Sequence, residues 1–185
     1  MSQIYTKTAV SRHANASCAS RELGESLNEP GICGIIFFCS AQYNLDELAQ
    51  ALSRDFANIP VYGCTSAGEI TPSGYEQNSI IAIGFRAPYF NISAQLITSL
   101  SGFELLDAQA TVSRLIDETQ DQNIDSGSSS GESRFMLTLL DGLSVEEELF
   151  LNTLNSAAAN IKHFGGSAGD DIHIAKPHVY FEGKF

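Results

Sequence analysis

The stretch Val61–Glu69 has the sequence VYGCTSAGE, and a second stretch, His163–Asp171, has the sequence HFGGSAGDD. In each, a short apolar run is followed by Ser-Ala-Gly and then by an acidic residue. We call Ser66–Gly68 the first SAG segment and Ser167–Gly169 the second SAG segment; they are 101 residues apart. The recurrence indicates either coincidence in a short pattern or one structural device used twice.

The residues that precede the two SAG segments also match at this offset. Phe38 aligns with Leu139 and Leu48 with Leu149, without a gap. A match of strand, helix, strand and loop over this length is more specific than a four-residue match. We therefore interpret residues 35–69 and 136–170 as an internal duplication.

Each copy has the pattern of a strand–helix–strand unit. Gly34–Cys39 is a continuous apolar run that is typical of a strand buried on both faces. Asn44 is a suitable helix cap, and Pro60 ends the predicted helix before the next strand. The apolar stripe of that helix consists of Leu45, Leu48, Leu52 and Phe56. A helical crossover favours parallel neighbouring strands.

The region between the two copies has a different pattern. Residues 79–85 and 89–97 are rich in β-forming residues and are separated by Arg86-Ala87-Pro88, which predicts an antiparallel hairpin. A helix is predicted around residues 105–116, and residues 125–133, DSGSSSGES, predict a flexible connector.

These patterns together predict an α/β fold. We expect a mixed sheet built from two repeated strand–helix–strand units (about 35–69 and 136–170) plus an antiparallel hairpin, with helices packed on the sheet. The two units are expected side by side in one sheet, related by a pseudo-twofold axis, with both SAG segments at the same edge.

Composition excludes several classes of function. The 185 residues carry a formal net charge of −12, which disfavours binding to nucleic acid or to a membrane surface. The chain has no apolar stretch of about 20 residues, and its N-terminus lacks the apolar core of a signal peptide, so a cytoplasmic location is expected. The four cysteines include no C-x-x-C pair, so no metal site is predicted.

The two SAG segments are the predicted ligand site. In open α/β sheets, ligands bind beyond the carboxyl ends of the parallel strands. Small residues there let a ligand approach the main chain, and the neighbouring acids favour an amino acid or an amine. The alternative is that these glycines only turn the chain or pack the two copies together. The candidate ligand-binding residues are Gly63, Cys64, Thr65, Ser66, Ala67, Gly68, Glu69, Asp141, Gly165, Gly166, Ser167, Ala168, Gly169, Asp170 and Asp171.

Catalysis is not expected, and no catalytic residue is assigned. A cysteine hydrolase, with Cys64 as nucleophile and His163 as base, is the less favoured alternative, because a strand position such as that of His163 is more often occupied for packing. His173 and His178 lie in a predicted loop and hairpin, where one of them could bind a metal or haem. Two exposed or half-exposed histidines are the simpler interpretation.

Three motifs, in this order and spacing, resemble the signature of the FIST N-terminal domain. They are Tyr62–Pro72 with the Gly74-Tyr75 that follows, Leu139–Ser144 with the acids that follow it, and Phe164–Asp171. The resemblance covers nearly the whole chain, which is therefore identified as a single FIST N-terminal-type domain over residues 1–185. GEITP-x-GY and DGLS-x-EE resemble most closely the bacterial branch that senses nitric oxide.

The resemblance implies a sensory input domain that binds a small ligand and regulates a signalling partner, such as a histidine kinase or a cyclic-di-GMP enzyme. The alternative that it implies is a haem-based nitric oxide sensor, with haem possible in the full-length protein. No haem ligand can be assigned to any residue of this chain by resemblance. Family members usually continue into a C-terminal FIST domain, so a fragment of a longer protein is expected.

Overall fold

A computed structural model describes residues 5–121, 133–144, 146–158, 160–169 and 177–185. The chain forms two compact units. The first unit consists of Met1–Phe90 and Ser167–Phe185, and the second unit consists of Asn91–Gly166. No helix in the part of the chain that the structure describes is long and apolar enough to cross a membrane.

The first unit contains most of the strands. In chain order, its elements are β1 (Thr6–Ser11), α1 (Ala16–Leu27), β2 (Ile32–Ser40), α2 (Leu45–Asp55), β3 (Val61–Ser66), β4 (Glu69–Thr71), β5 (Gly74–Glu76) and β6 (Ile80–Arg86). The second unit contains α3 (Leu105–Asp121), β7 (Phe135–Asp141), α4 (Glu147–Ala157) and β8 (Lys162–Ala168), whose last residues return to the first unit. The first unit is completed by β9 (Val179–Phe181).

Five strands of the first unit form a mixed sheet in the order β1-β6-β2-β3-β9. β2 and β3 are parallel, as the helical crossover predicts, and the other neighbours are antiparallel. Leu23 of α1 and Leu48 of α2 are buried in the same apolar cluster as Ile35 and Phe37 of the sheet. The predicted α/β fold, with a mixed sheet and helices packed on it, is thus confirmed.

The prediction of a hairpin over residues 79–97 is wrong in its second half. Its first strand is β6, but residues 89–97 form no strand. The physical reason is that β6 is an interior strand, paired with β1 on one side and with β2 on the other, so that neither edge can accept another strand. The antiparallel hairpin is instead β4–β5, with Ile70 opposite Tyr75.

The second unit contains the second strand–helix–strand copy. Its core consists of Ala108 and Val112 of the predicted helix α3, Phe150 and Leu154 of α4, Ala158 directly after α4, and Leu140 of β7. β7 and β8 form a two-stranded sheet of their own. The expectation that the two copies lie side by side in one sheet is therefore wrong. Of the predicted connector, residues 125–132 lie outside the described residues.

The two copies differ by one residue within the helix. α2 begins at Leu45 and ends at Asp55, whereas α4 begins at Glu147 and ends at Ala157, an offset of 102 rather than 101. Burial follows the same shift, because Leu48 is fully buried whereas Leu149 is 66% exposed and Phe150 is buried in its place. The gapless alignment is therefore wrong across the helix, since the loop before α4 is one residue longer than the loop before α2.

Candidate functional site

Serine residues lie at one edge of the five-stranded sheet. Ser40 and Ser66 end the parallel strands β2 and β3 in register with each other. Ser79 immediately precedes β6, and Ser11 is the last residue of β1, in register with the first residue of β6. Because this is the carboxyl edge of the two parallel strands, it is the edge at which α/β sheets bind ligands.

Glu69 is a buried carboxylate directly after the first SAG segment. It is 1% exposed. Its Oε1 accepts a hydrogen bond from Ser66 Oγ at 2.7 Å, and its Oε2 accepts one from Ser79 Oγ at 2.6 Å. A buried carboxylate needs such donors to offset the loss of hydration. Glu69 therefore ties the end of β3 to the start of β6, and does not face solvent as a free loop acid would.

The two SAG segments meet in the first unit. The Gly169 N–H donates to the Thr65 carbonyl at 2.9 Å. A Cβ at Gly169 would lie 2.9 Å from the Ala67 nitrogen, so only glycine permits this approach of the two main chains. Thr65 also donates its N–H to the His178 carbonyl at 2.9 Å. Thr65, which directly precedes the first SAG segment, is therefore bonded both to the second SAG segment and to the residue that leads into β9.

Several candidate residues lie in strands rather than in loops, contrary to the prediction that the SAG segments are loops outside them. β3 continues through Ser66 because Thr65 and Ser66 pair with Cys39 and Ser40 of β2. β8 likewise continues through Ala168. The candidate residues in strands are Gly63, Cys64, Thr65, Ser66, Glu69, Asp141, Gly165, Gly166, Ser167 and Ala168.

The candidate residues are divided between the two units. Residues 63–69 and 167–169 belong to the first unit, and Asp141, Gly165 and Gly166 belong to the second. Asp141 Oδ1 accepts the Leu143 N–H at 3.0 Å, as in a tight turn. Asp170 and Asp171 lie outside the described residues. The structure thus brings the two SAG segments together, and the buried Glu69 directly follows the first of them.

Two glycines support the interpretation of the SAG regions as packing elements. A Cβ at Gly63 would lie 2.6 Å from the ring of Phe37, and a Cβ at Gly165 would overlap the main chain of Thr138. In each copy, a glycine of the second strand therefore lies against the main chain or side chain of the first strand. These two positions are explained by strand packing without a ligand, whereas Gly166 has open space around it.

Cys64 is not suited to nucleophilic catalysis. Its side chain is buried, and burial raises the pKa of its thiol to about 12, so the reactive thiolate is scarce at neutral pH. His163 Nδ1 is hydrogen-bonded to Asn155 Oδ1 at 2.7 Å, and its Nε2 is hydrogen-bonded to Thr138 Oγ1. Burial lowers the pKa of His163. His173 lies outside the described residues.

A shallow groove of about 540 Å³ follows one face of α4 in the second unit. Its lining combines carboxylates, amides and a hydroxyl: Ser144, Glu147, Glu148, Leu151, Asn152 and Asn155. Within the described ranges, no three His, Cys, Asp or Glu side chains are grouped as metal ligands. The groove is a property of one helix surface and does not include a SAG segment.

Two side chains next to the first SAG segment were not among the candidate site residues. Tyr75 lies over Gly68, and its hydroxyl donates to the Ala67 carbonyl at 2.9 Å. Glu76 is paired with Arg12. Gly74-Tyr75 belongs to the first signature motif, and the turn-forming Pro72-Ser73-Gly74 is typical of a hairpin, but neither pattern indicates the surface on which the hairpin packs.

The chain matches the model of a known protein family. The family model of the FIST N domain matches residues 34–185. The matched range includes both strand–helix–strand copies and both SAG segments. No curated protein and no solved structure matches the chain.

Proposed function

The chain belongs to the FIST N domain family, a family of sensory domains, and on that premise we propose that it binds a small amino acid or amine and regulates a signalling partner. The site is the edge of the first unit where the SAG segments meet. The partner is a histidine kinase or a cyclic-di-GMP enzyme, and the domain acts in the cytoplasm with a C-terminal FIST domain. Catalysis has no part in this proposal.

The contact between the two SAG segments is the observation that carries the proposal. At the carboxyl edge of β2 and β3, the Gly169 N–H of the second SAG segment is bonded to the carbonyl of Thr65, directly before the first SAG segment. A Cβ at Gly169 would lie 2.9 Å from the Ala67 nitrogen, so the main chains of the two segments approach closely. Ala67 and Ser167 at this edge are exposed, and Ser66 is half-buried. A ligand that contacts both segments stabilises their association, so binding can be read out as a change in this region.

The hydrogen bonds of Ser66 favour a ligand that donates. Its hydroxyl proton is directed to Glu69 Oε1 at 2.7 Å, whereas the Cys39 carbonyl is at 3.5 Å. A hydroxyl has one proton, so towards a ligand the Ser66 oxygen can only accept. An ammonium group has several protons to donate, and a chain of net charge −12 attracts cations.

A thermal unfolding series tests this proposal. The chain is melted alone and with glycine, L-arginine, putrescine and hemin as probes. A probe that binds only the folded state stabilises it by about 2.7 kcal/mol at a hundredfold excess over Kd. We expect a shift with an amine or an amino acid that is reduced in Ser66→Ala and retained in the control Ser144→Ala, whose serine lines the groove on α4.

Two other outcomes would contradict the proposal. A shift of the unfolding midpoint with hemin alone would favour the haem-based nitric oxide sensor. That alternative is implied by the resemblance of the GEITP-x-GY and DGLS-x-EE motifs, and no contact among the described residues favours a haem site. An amine-dependent shift that is lost in Ser144→Ala but kept in Ser66→Ala would place the ligand in the second unit and would refute the SAG site.

A further inference from the structure

The β4–β5 hairpin covers the first SAG segment. Tyr75 of β5 donates its hydroxyl hydrogen to the Ala67 carbonyl at 2.9 Å. A Cβ at Gly68 would lie 2.5 Å from Cε2 of the Tyr75 ring. The ring therefore rests on the main chain of Gly68, in the space that any other side chain would occupy.

Gly68 is required for this arrangement on two grounds. Its φ is +148°, a conformation that residues with a Cβ rarely adopt. It also has no side chain to displace Tyr75. The SAG sequence therefore allows the aromatic ring to approach the segment, which explains the third residue of the motif in the first copy.

Tyr75 is not a core residue. Its side chain is 65% exposed, although it is large and contacts a main-chain segment. Its hydroxyl is also the acceptor for Gln77 Nε2 at 3.3 Å. A ring with one side on Gly68 and much of its surface in solvent loses little burial when it moves, so its position is set by hydrogen bonds that a ligand can replace.

An exposed ion pair holds the hairpin down. Arg12, which directly follows β1, donates from Nε and Nη2 to the Glu76 carboxylate. Thr71 Oγ1 donates to Glu76 Oε1 at 2.7 Å, which joins the two strands of the hairpin to this pair. Arg12 is 57% exposed and Glu76 is 18% exposed, so solvent reaches this ion pair and salt screens it. The contact can therefore open and close without unfolding the sheet.

We propose that Tyr75 is a gating and ligand-contacting residue of the SAG site, and that its ligand is a small primary ammonium compound. This inference rests on the proposed function. The ammonium group displaces the phenol from the Ala67 carbonyl and donates to that oxygen and to Ser66 Oγ. The displaced ring then presents its face to the cation, an arrangement that attracts ammonium groups.

Fluorine NMR of the full chain labelled with 3-fluorotyrosine tests the gate without a ligand. The chain has six tyrosines, and each resonance is assigned by its Tyr→Phe variant. We expect Gly68→Ala and Arg12→Gln to move the Tyr75 resonance towards that of an exposed, mobile tyrosine. Arg54→Gln is the matched control, because Arg54 and Arg12 are both 57% exposed and each pairs with one carboxylate.

Putrescine titrations of the same variants test the contact with the ligand. Tyr75→Phe loses the competing hydroxyl but keeps the ring, so we expect it to bind putrescine several-fold more tightly. Tyr75→Ala loses the ring as well as the hydroxyl, and we expect it to bind putrescine about twofold to fivefold more weakly than Tyr75→Phe does, the range of one exposed cation–π contact. If Tyr75→Phe fails to fold, Gln77→Ala is titrated in its place, because it removes only a hydrogen-bond donor to the phenol. We expect Gln77→Ala to bind putrescine at least as tightly as the unmodified chain does.

The outcomes separate this inference from the proposed function. Equal affinity of Tyr75→Phe, Tyr75→Ala and the unmodified chain would overturn the role of Tyr75 and leave the amine sensor intact. A Tyr75 resonance unaffected by Gly68→Ala and Arg12→Gln would also overturn it. No binding of putrescine, glycine or L-arginine by the unmodified chain or Tyr75→Phe would overturn both proposals.

Discussion

The two strand–helix–strand copies have the same local structure and very different burial. No residue of β2 is exposed, whereas β7 has one buried residue, Leu140. The reason is that β2 and β3 are flanked by β6 and β9 in a five-stranded sheet, whereas β7 and β8 form a two-stranded sheet. A repeated sequence pattern therefore specifies the local unit, and the neighbouring strands decide how much of it is buried.

The largest expected difference between the copies is in the reactivity of a cysteine thiol placed in the second strand of each, β3 or β8. Cys64 in β3 is buried with a pKa of about 12, whereas Gly166 in β8 is exposed with open space around it. In a Gly166→Cys variant at pH 8, we expect the new thiol to react with iodoacetamide on the order of 10³ times faster than Cys64, since only the thiolate attacks. Peptide mass spectrometry resolves the two sites.

Comparable rates at the two thiols would contradict the burial of β3. They would also reopen the alternative of a reactive Cys64. The unfolded chain in urea is the control, because there both thiols have ordinary pKa values and should react at similar rates.

The second prediction tests the shift of one residue between α2 and α4. Leu48→Ala removes a fully buried side chain and should lower the free energy of unfolding by about 2–5 kcal/mol. Leu149→Ala should change it by less than about 0.5 kcal/mol, although Leu149 is the sequence-aligned counterpart. Urea unfolding followed by circular dichroism measures both.

Phe150→Ala is the decisive variant for this shift. Phe150 is 3% exposed, and we expect a loss of about 3–5 kcal/mol. A costly Leu149→Ala together with a neutral Phe150→Ala would restore the gapless alignment of the two copies.

The third prediction concerns the first turn of each helix. Asn44 Oδ1 accepts the Glu47 N–H at 3.1 Å and caps α2, whereas Glu146 at the start of α4 makes no side-chain cap bond. Asn44→Ala should cost about 1 kcal/mol of unfolding free energy, and Glu146→Ala less than about 0.5 kcal/mol. Equal losses in urea unfolding would show that the two helix starts do not differ in capping.

The smallest expected effect is a pH dependence of the unfolding free energy that arises at the end of α2. α2 ends at Asp55, which can titrate, whereas α4 ends at Ala157, which cannot. Hydrogen bonds from Arg54 and Ser20 lower the pKa of Asp55. A carboxylate with a lowered folded pKa contributes stability above its unfolded pKa and loses it as the pH falls through the folded value. The urea concentration at the unfolding midpoint should therefore be lower at pH 3 than at pH 5, and we expect this difference to be smaller in Asp55→Asn than in the unmodified chain. An unchanged difference would contradict the role of Asp55.

The sequence was informative where the pattern is local. The apolar run at β2, the stripe of α2 and the Asn44 cap predicted a crossover unit, and the family signature followed from the SAG and DGLS motifs. Pairing was less predictable, because whether residues 89–97 form a strand depends on β6 having a free edge, which no local pattern encodes.

The candidate site shows the same limit. The first SAG segment begins at the carboxyl end of β3, as its sequence predicted, but the hydrogen bonding of the buried Glu69 depends on Ser79, ten residues later in the chain. Tyr75 reaches Gly68 only because a short hairpin folds back on the segment before it. The signature includes Tyr75, but the surface on which its ring packs depends on how the β4–β5 hairpin folds, which no local pattern encodes.

Hydrogen exchange of the full chain, with and without the amine or amino acid that gives the largest thermal shift, shows directly whether the two SAG segments form one ligand site. We expect the ligand to slow amide exchange in residues 66–69 and 167–169 together, with little change along α4. Protection confined to residues 144–155, or protection of one SAG segment without the other, would contradict it.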